Sequence, residues 1–138
     1  MNYWIIALPR EDMEHCIRIG TFGMKRKGQM TRAAVGDKIA CYITKEYKII
    51  ALGELTSDYY MDDSNVFLRE DMYPDRFDFR AEQFKKSEEL EFMQIIDKMS
   101  FITNLAYWSA YFRNGLIKAA KSDWDTIVAT SKAKSVQV

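Results

Sequence analysis

Two β-rich runs separated by a short turn constrain the fold of this chain more than any other feature. The first run, Lys38–Thr44, follows the turn residues Val35–Asp37, and the second is Lys48–Thr56. The three residues Lys45–Tyr47 lie between them, and this arrangement is typical of a β-hairpin. Gly53 interrupts the second run, which predicts either a β-bulge or the close approach of another backbone segment.

The N-terminal residues predict a strand followed by a short helix. Asn2–Leu8 is rich in aromatic and β-branched residues and stops at Pro9, which is tolerated at the start of a helix. The first turn of that helix carries three acids that suit the positive end of the helix dipole: Glu11, Asp12 and Glu14. Met13 and Cys16 share its inner face, and Gly20 is the predicted C-cap.

The second half of the chain predicts one strand and three helices. Tyr73–Arg80 alternates, so we expect a half-exposed strand with Phe77 and Phe79 on one face and Arg76, Asp78 and Arg80 on the other. The predicted helices are Ser87–Ile96, with Leu90 and Met93 inward, a short one at Asn104–Tyr111, and a last one that begins near Ser122.

Length and composition predict one domain that does not span a membrane. The chain has 138 residues and is 48% hydrophobic, which is enough for one core. We place the domain at residues 1–130 and expect a poorly ordered tail at 131–138, which has little to bury. No apolar run approaches the roughly 20 residues of a membrane span, and the N-terminus lacks a basic leader. Cys16 and Cys41 have no metal or redox spacing, which indicates reduced core thiols in a cytoplasmic protein.

No motif indicates catalysis. The single histidine, His15, is predicted on the first helix, and nothing marks a nucleophile that it could activate. Metal-binding and phosphate-loop signatures do not occur, so neither a metal nor a cofactor is predicted. We therefore expect a protein that is not an enzyme.

Charge is distributed unevenly along a chain that is neutral overall. There are 20 basic and 20 acidic residues, yet the segments 15–36 and 98–122 contain no acid. The first segment includes the glycine-flanked basic stretch TFGMKRKGQM, residues 21–30. Basic residues attract phosphates and aromatic rings stack on bases, so both segments are candidates for nucleic-acid contact. The alternatives are that the aromatic residues form core and that Lys25, Arg26 and Lys27 form a solubilising loop.

The ordered set of elements resembles the EVE domain, a branch of the PUA-like superfamily related to the YTH domain. The resemblance covers about residues 2–130. It rests on Tyr3–Ile5, Phe22-Gly23, Gly36-Asp37, Ile50–Leu55, Tyr73–Phe77, Phe101-Ile102, Tyr107–Ser109 and Phe112.

The resemblance implies an α+β fold, a PUA-like curved and mostly antiparallel β-barrel with flanking helices. It also implies a non-catalytic reader that holds a flipped-out base, often a methylated one, in an aromatic-lined pocket. Phe22 matches the aromatic residue that forms one pocket wall in YTH-like relatives. Leu52 lies near a second wall position that is aromatic in YTH domains, and Pro9-Arg10 falls where those relatives have a polar Lys-Ser pair.

These considerations predict a nucleic-acid partner, RNA or DNA, with or without a modified base, and leave the base and the oligomeric state open. The alternatives are a sensor of small molecules or nucleotides that uses the same pocket, and an accessory domain of an RNA- or DNA-modifying system. The predicted ligand-binding residues are Phe22, Gly23, Lys25, Arg26, Lys27, Leu52, Trp108 and Tyr111. We expect Phe22 to be partly exposed and to stack on a base, and Trp4 and Trp124 to serve packing.

Overall fold

The structure is a computed structural model that describes residues 1–25, 28–69 and 74–136, with side chains up to residue 132. The strands in these ranges are β1 (Tyr3–Leu8), β2 (Thr21–Met24), β3 (Lys38–Ile43), β4 (Lys48–Leu55), β5 (Tyr60–Met61), β6 (Asp75–Gln83), β7 (Leu90–Glu91) and β8 (Leu116–Ala119). The α-helices are α1 (Arg10–Ile19) and α2 (Lys121–Val136). Short 3-10 helices cover Gly28–Arg32, Lys86–Glu88, Phe92–Gln94, Ile96–Lys98 and Leu105–Phe112.

The strands form one curled sheet in the order β2-β6-β4-β3-β1-β8, with β5 added to β6 and β7 added to β4. β1 runs parallel to β3, and each of the other described pairings is antiparallel. The predicted α+β class and curved, mostly antiparallel sheet with flanking helices are confirmed, and the sheet closes as far as a half-barrel.

Both faces of the central strands β1 and β3 are buried, because these strands send alternate side chains to opposite sides of the sheet. One cluster, here called the inner cluster, contains Trp4, Ile6 and Leu8 of β1 together with Met13 and Cys16 of α1. The outer cluster contains the intervening residues Ile5 and Ala7, packed with Phe92, Phe112 and Ile127 from the second half of the chain. The first strand is therefore central to both cores.

Gly53 marks a close approach between β4 and β6. It pairs with Ala81 and, through its other edge, with Ile39, which belongs to the inner cluster. A Cβ on Gly53 would lie 2.0 Å from the Arg80 carbonyl oxygen and 2.6 Å from the Ala81 Cα. The predicted close backbone approach is confirmed, whereas the register shift in this hairpin lies at Cys41/Tyr42 and not at Gly53. The absence of a Cβ at Gly53 therefore allows this pairing of β4 with β6.

The predicted first strand, first helix and hairpin in the first half of the chain are confirmed. β1 stops before Pro9, α1 follows, and Gly20 ends it in the left-handed conformation with φ 73°. β3 and β4 form the predicted hairpin, and its turn holds Lys45 and Tyr47 at φ 69° and 57°. Cys16 and Cys41 are buried free thiols, and burial raises the pKa of Cys16 to about 12.

Two predictions for the second half are wrong. Ser87–Ile96 is not one helix, because Leu90 pairs with Ile49 in the sheet and breaks the segment into 3-10 turns around β7. Leu90 is buried as expected, but Met93 is 50% exposed.

In β6, Phe77 and Phe79 are buried as predicted, whereas Arg76 is 2% exposed and not on an open face. Its guanidinium lies 4.8 Å from the centre of the Phe67 ring and donates to Ser64.

The C-terminal segment is more helical than its composition suggests. The predicted short helix is the 3-10 helix Leu105–Phe112, and α2 begins at Lys121, one residue before Ser122. Asp123 accepts hydrogen bonds from the Ala120 and Ser100 backbone amides and from the Ser100 hydroxyl, so its carboxylate caps α2. The helix continues to residue 136 and enters the range assigned to the tail. The domain boundary at residue 130 stays a prediction. No helix in the described part of the chain is both long and apolar enough to cross a bilayer.

Asp37 anchors the start of β1 to the turn before β3. It is 3% exposed, and its carboxylate accepts from the Asn2 amide, the Trp4 indole Nε1–H and the Ala34 amide at 2.9–3.0 Å. Burial opposes ionisation of Asp37, but these donors and the Asn2 side chain outweigh it and hold the pKa below its ordinary value of 3.8. Trp4, as predicted, serves packing and is fully buried.

Gly53→Ala tests the close approach of β4 and β6. The added methyl group would overlap backbone atoms of Arg80 and Ala81, which cannot move as a flexible side chain can. We expect the free energy of unfolding, measured in urea, to fall by about 3 kcal/mol or more. Gly36→Ala is the comparison, because Gly36 has open space around it but φ 90°, so its expected loss of about 1–2 kcal/mol comes from backbone strain alone. Equal losses for the two variants would show that crowding at Gly53 is unimportant.

Asp37→Asn should destabilise the protein by about 2–3 kcal/mol at neutral pH, because a charged acceptor is lost from buried donors. The folded-state pKa lies below 3.8, so the contribution of ionised Asp37 is present above that pH and is lost as the pH falls through the folded-state pKa. Urea unfolding at several pH values should therefore show the difference from the native protein shrinking in acid. The exposed Asp97→Asn is the control, and a difference that grows in acid would contradict this account.

Candidate functional site

A cavity lies where the two edges of the curled sheet approach each other. β2 and β8 are the end strands of the sheet, and the cavity lies between β2 and the turn that precedes β8. A Cβ on Gly115 would lie only 3.9 Å from the Met24 Cε, so the edges nearly meet. The cavity volume is about 780 Å³, within the range of roughly 300–1,000 Å³ typical of small-ligand sites.

The cavity wall is apolar at its base and lacks acidic side chains. Its lining residues are Ala7, Leu8, Pro9, Phe22, Gly23, Met24, Lys25, Gly28, Gln29, Thr44, Arg69, Phe112, Arg113, Asn114, Gly115 and Leu116. Most of them come from the two acid-free segments, 15–36 and 98–122, which lie far apart in the sequence and meet here. No Asp or Glu occurs among the described lining residues, although the chain as a whole has as many acids as bases.

Three cations surround the cavity: Lys25, Arg69 and Arg113. Lys25 and Arg113 are exposed, and neither forms an ion pair with an acid in the described ranges. Arg69 is 42% exposed, with its Nη1 atom 3.5 Å from the Asp12 Oδ2 atom of α1. The site therefore presents net positive charge to an incoming anion.

Uncharged polar side chains complete the wall. Gln29, Thr44 and Asn114 can donate and accept hydrogen bonds at the edge of a bound ligand. The turn that carries Asn114 is fixed to the sheet, because the Ala7 amide donates to the Gly115 carbonyl at 2.9 Å. These three residues were not among the predicted ligand-binding residues. The dipeptide Asn114-Gly115 was the available signal, since Asn-Gly marks a tight turn and Gly115 has φ 78°.

Phe22 is not partly exposed as predicted. It is 1% exposed, pairs with Phe77 across β2 and β6, and packs with its ring centroid 5.5 Å from that of Phe77. The reason is that β2 belongs to the sheet, and its alternation turns Phe22 into the inner cluster. Phe22 therefore contributes to the base of the cavity, and Gly23 and Lys25 continue the same wall.

The other predicted site residues do not gather at the cavity. Leu52 packs against the outer cluster, on the face of the sheet opposite to Phe22. Trp108 and Tyr111 also border the outer cluster, where the Tyr111 hydroxyl accepts from the Thr103 and Asn104 amides. Residues Arg26 and Lys27 lie outside the described residues, so their predicted phosphate contacts stay predictions.

Arg10 is committed to an ion-pair network beside the cavity. Its guanidinium forms paired hydrogen bonds with Glu89 at 2.8 and 2.9 Å and further ones with Glu46 at 2.8–3.1 Å. Glu89 is only 3% exposed, and the two carboxylates raise the pKa of Arg10. Pro9 lines the cavity, but the Arg10 guanidinium donates its hydrogen bonds to these two acids. Polar contacts to a ligand must therefore come from other residues.

Buried Arg76 stabilises the loop that carries Arg69. The Arg76 guanidinium donates to the Ser64 hydroxyl at 2.9 Å and to the Ser64 carbonyl, and its Nη1 lies 3.8 Å from the Asp62 Oδ1. On α1, the ring of His15 places Nε2 2.7 Å from the Val66 carbonyl oxygen. These contacts fix residues 62–69 over α1 and bring Arg69 to the cavity.

Comparison with known proteins places this geometry in a family. The family model described as the EVE domain matches residues 2–130. UPF0310 protein PH1033 of Pyrococcus horikoshii is 31% identical over 127 residues, which cover 81% of this chain and 86% of the relative.

Solved structures share the fold at low sequence identity. The protein Rpa0253 of Rhodopseudomonas palustris has a TM-score of 0.67 and 14% identity, over 96% of this chain and 94% of the other. The Pho92 YTH domain, solved in complex with m6A, has a TM-score of 0.70 and 11% identity, over 95% and 86% of the two chains. The family match spans nearly the whole domain, and the chain belongs to the EVE domain family.

Proposed function

We propose that this protein is a non-catalytic nucleic-acid reader that accommodates one base in the cavity between β2 and the turn before β8. The observation that carries the proposal is the charge of the wall. Three cations and no acid occur among its described residues, in a chain whose overall charge is zero. Such a local excess attracts phosphates regardless of net charge.

The chemistry of the wall suits a base with its phosphates. Ala7, Leu8 and Leu116 offer apolar contact to a base, which a methyl group on the base would extend. Gln29, Thr44 and Asn114 would bond the polar edge of the base, and Lys25 and Arg113 would contact the backbone phosphates. A base enters such a pocket only after leaving its stack, so single-stranded RNA or DNA is the favoured form. The Pho92 domain solved with m6A supports a modified base as one ligand of this fold.

A sensor of free nucleotides or small molecules is the second candidate, because the cavity volume admits a single nucleotide. The two candidates differ in their dependence on salt. A polymer reader contacts several phosphates and loses affinity steeply as salt rises, whereas binding of a small ligand changes little. An accessory domain of an RNA- or DNA-modifying system would use the same reading site.

Lys25→Ala and Arg113→Ala should each weaken binding of a short single-stranded RNA that carries one m6A, and of its unmodified copy. Each variant loses one phosphate contact, so the slope of log affinity against log salt should fall by about 0.7. Fluorescence anisotropy at several salt concentrations measures both quantities. Arg80→Ala is the matched control, because Arg80 is 77% exposed and does not line the cavity.

Two results would reject the proposed reader function. If both cavity variants keep the affinity and salt slope of the unaltered protein, the three-cation wall is not the phosphate site. If only single nucleotides bind and RNA does not, the sensor replaces the reader.

Phe22→Ala and Lys25→Ala should differ in their effect on stability, because Phe22 forms the buried base of the cavity and Lys25 is exposed on its wall. Because Phe22 is buried in the inner cluster, we expect a loss of about 3–5 kcal/mol in the free energy of unfolding. Lys25→Ala, three residues later and exposed, should change that free energy by less than about 0.5 kcal/mol. Thermal and urea unfolding of both variants provide the measurement. A Phe22→Ala protein of unaltered stability would mean that Phe22 is a ligand-facing residue and not core.

A further inference from the structure

An uncharged, aromatic-rich surface adjoins the cavity. Residues 99–112 contain no acid and no base, and Lys98 and Arg113 flank them. Much of this stretch is exposed, including Leu105 at 51% and Tyr107 at 68%. Phe112, at the end of this stretch, and the flanking Arg113 both line the cavity. The exposed surface and the cavity wall are thus continuous along the chain.

Tyr47 extends this surface from the other side of the cavity. Its turn begins after Thr44, a lining residue, and its ring packs edge-on against Trp108 with centroids 5.0 Å apart. The Trp108 ring lies 6.3 Å from that of Phe112, so two ring contacts connect Tyr47 to the cavity wall. We call Tyr47 and Trp108 the aromatic ledge.

The backbone holds the ledge in place at an energetic cost. Tyr47 has φ 57°, in the left-handed region that residues other than glycine seldom adopt. Its amide donates to the Ile43 carbonyl, and its carbonyl accepts from the Phe92 amide at 2.9 Å. Yet 39% of the residue remains exposed. Lys45 in the same turn also has a positive φ, as tight hairpin turns require, so the turn geometry fixes where the Tyr47 ring is presented.

Charge near the ledge favours a polyanion over an apolar protein partner. Glu46, next to Tyr47, is paired with Arg10, and Glu91 lies 3.7 Å from the Lys48 ammonium. The same pairing with Arg10 lowers the pKa of Glu46. With these two acids neutralised, the exposed cations Lys45 and Arg113 dominate the path from the ledge to the cavity. Aromatic rings between cations are the usual platform for single-stranded nucleic acid.

We propose that the aromatic ledge stacks the base that flanks the nucleotide in the cavity, so that the protein reads a single strand of at least two nucleotides and not a free nucleotide. This inference rests on the proposed reader function and extends it. The base would lie on the exposed part of the Tyr47 ring, which Trp108 supports from beneath.

Tyr47→Ala tests the ledge with the short m6A RNA, its unmodified copy and the free m6A nucleotide as probes. We expect RNA affinity to fall at least about fivefold, since loss of one base–aromatic stack costs about 1 kcal/mol or more. Affinity for the free nucleotide should stay unchanged. Tyr47→Phe keeps the aromatic ring, so its RNA affinity should equal that of the unaltered protein. Val35→Ala removes an exposed apolar side chain at the opposite end of β3 and should have no effect.

The outcomes separate this inference from the function on which it rests. If the unaltered protein binds RNA and Tyr47→Ala binds it equally well, the ledge is not used, although the reader function stands. The ledge is also rejected if Tyr47→Ala weakens the free nucleotide as much as the RNA, because the change then acts on the cavity. If the unaltered protein binds no RNA, the reader function itself fails. Self-association of the protein that Tyr47→Ala abolishes, without an effect on RNA, would assign the ledge to a second copy of the chain.

Discussion

The close approach of β4 and β6 at Gly53 is the constraint on which the rest of the structure depends. A Cβ at Gly53 would lie 2.0 Å from the Arg80 carbonyl oxygen, so only glycine fits this pairing of β4 and β6 within the curled sheet. Bending brings the end strands β2 and β8 near each other, and the gap between them is the cavity. A flat sheet of the same strands would keep the two acid-free segments apart. The cavity is therefore a consequence of the curl of the sheet.

Charge acts locally in this protein. Its 20 acids and 20 bases cancel overall, but several acids form ion pairs or hydrogen bonds with other groups of the protein and none of the described lining residues is acidic. Glu46 and Glu89 hold Arg10, Asp37 anchors β1, and Asp123 caps α2. Lys25 and Arg113, by contrast, have no acidic partner in the described ranges. The folded protein therefore carries a local excess of positive charge at the cavity, although the chain is neutral overall. A phosphate would contact these cations.

Local patterns in the sequence predicted the elements whose causes are local. Pro9 and Gly20 delimit α1, the turn at Lys45–Tyr47 closes the hairpin, and the acid-free segments do form the cavity wall. The predictions that failed depend on tertiary contacts. The segment around Leu90 has helical spacing, but pairing with β4 overrides it, and Phe22 follows a loop-like glycine pattern but lies in a strand against Phe77. Leu52 was assigned to the pocket by position in a family, whereas strand alternation turns it to the outer cluster.

In the proposed function, nucleic acid binds where the two acid-free segments meet. The most direct measurement is an NMR titration of the ¹⁵N-labelled protein with the short m6A RNA, with amide shifts followed residue by residue. The account predicts saturable shift changes at Gly23–Lys25 and at Arg113–Leu116, with the opposite end of the sheet, around Gly36 and Asp37, unaffected. Shift changes concentrated around Gly36 and Asp37, with the cavity wall unchanged, would contradict it.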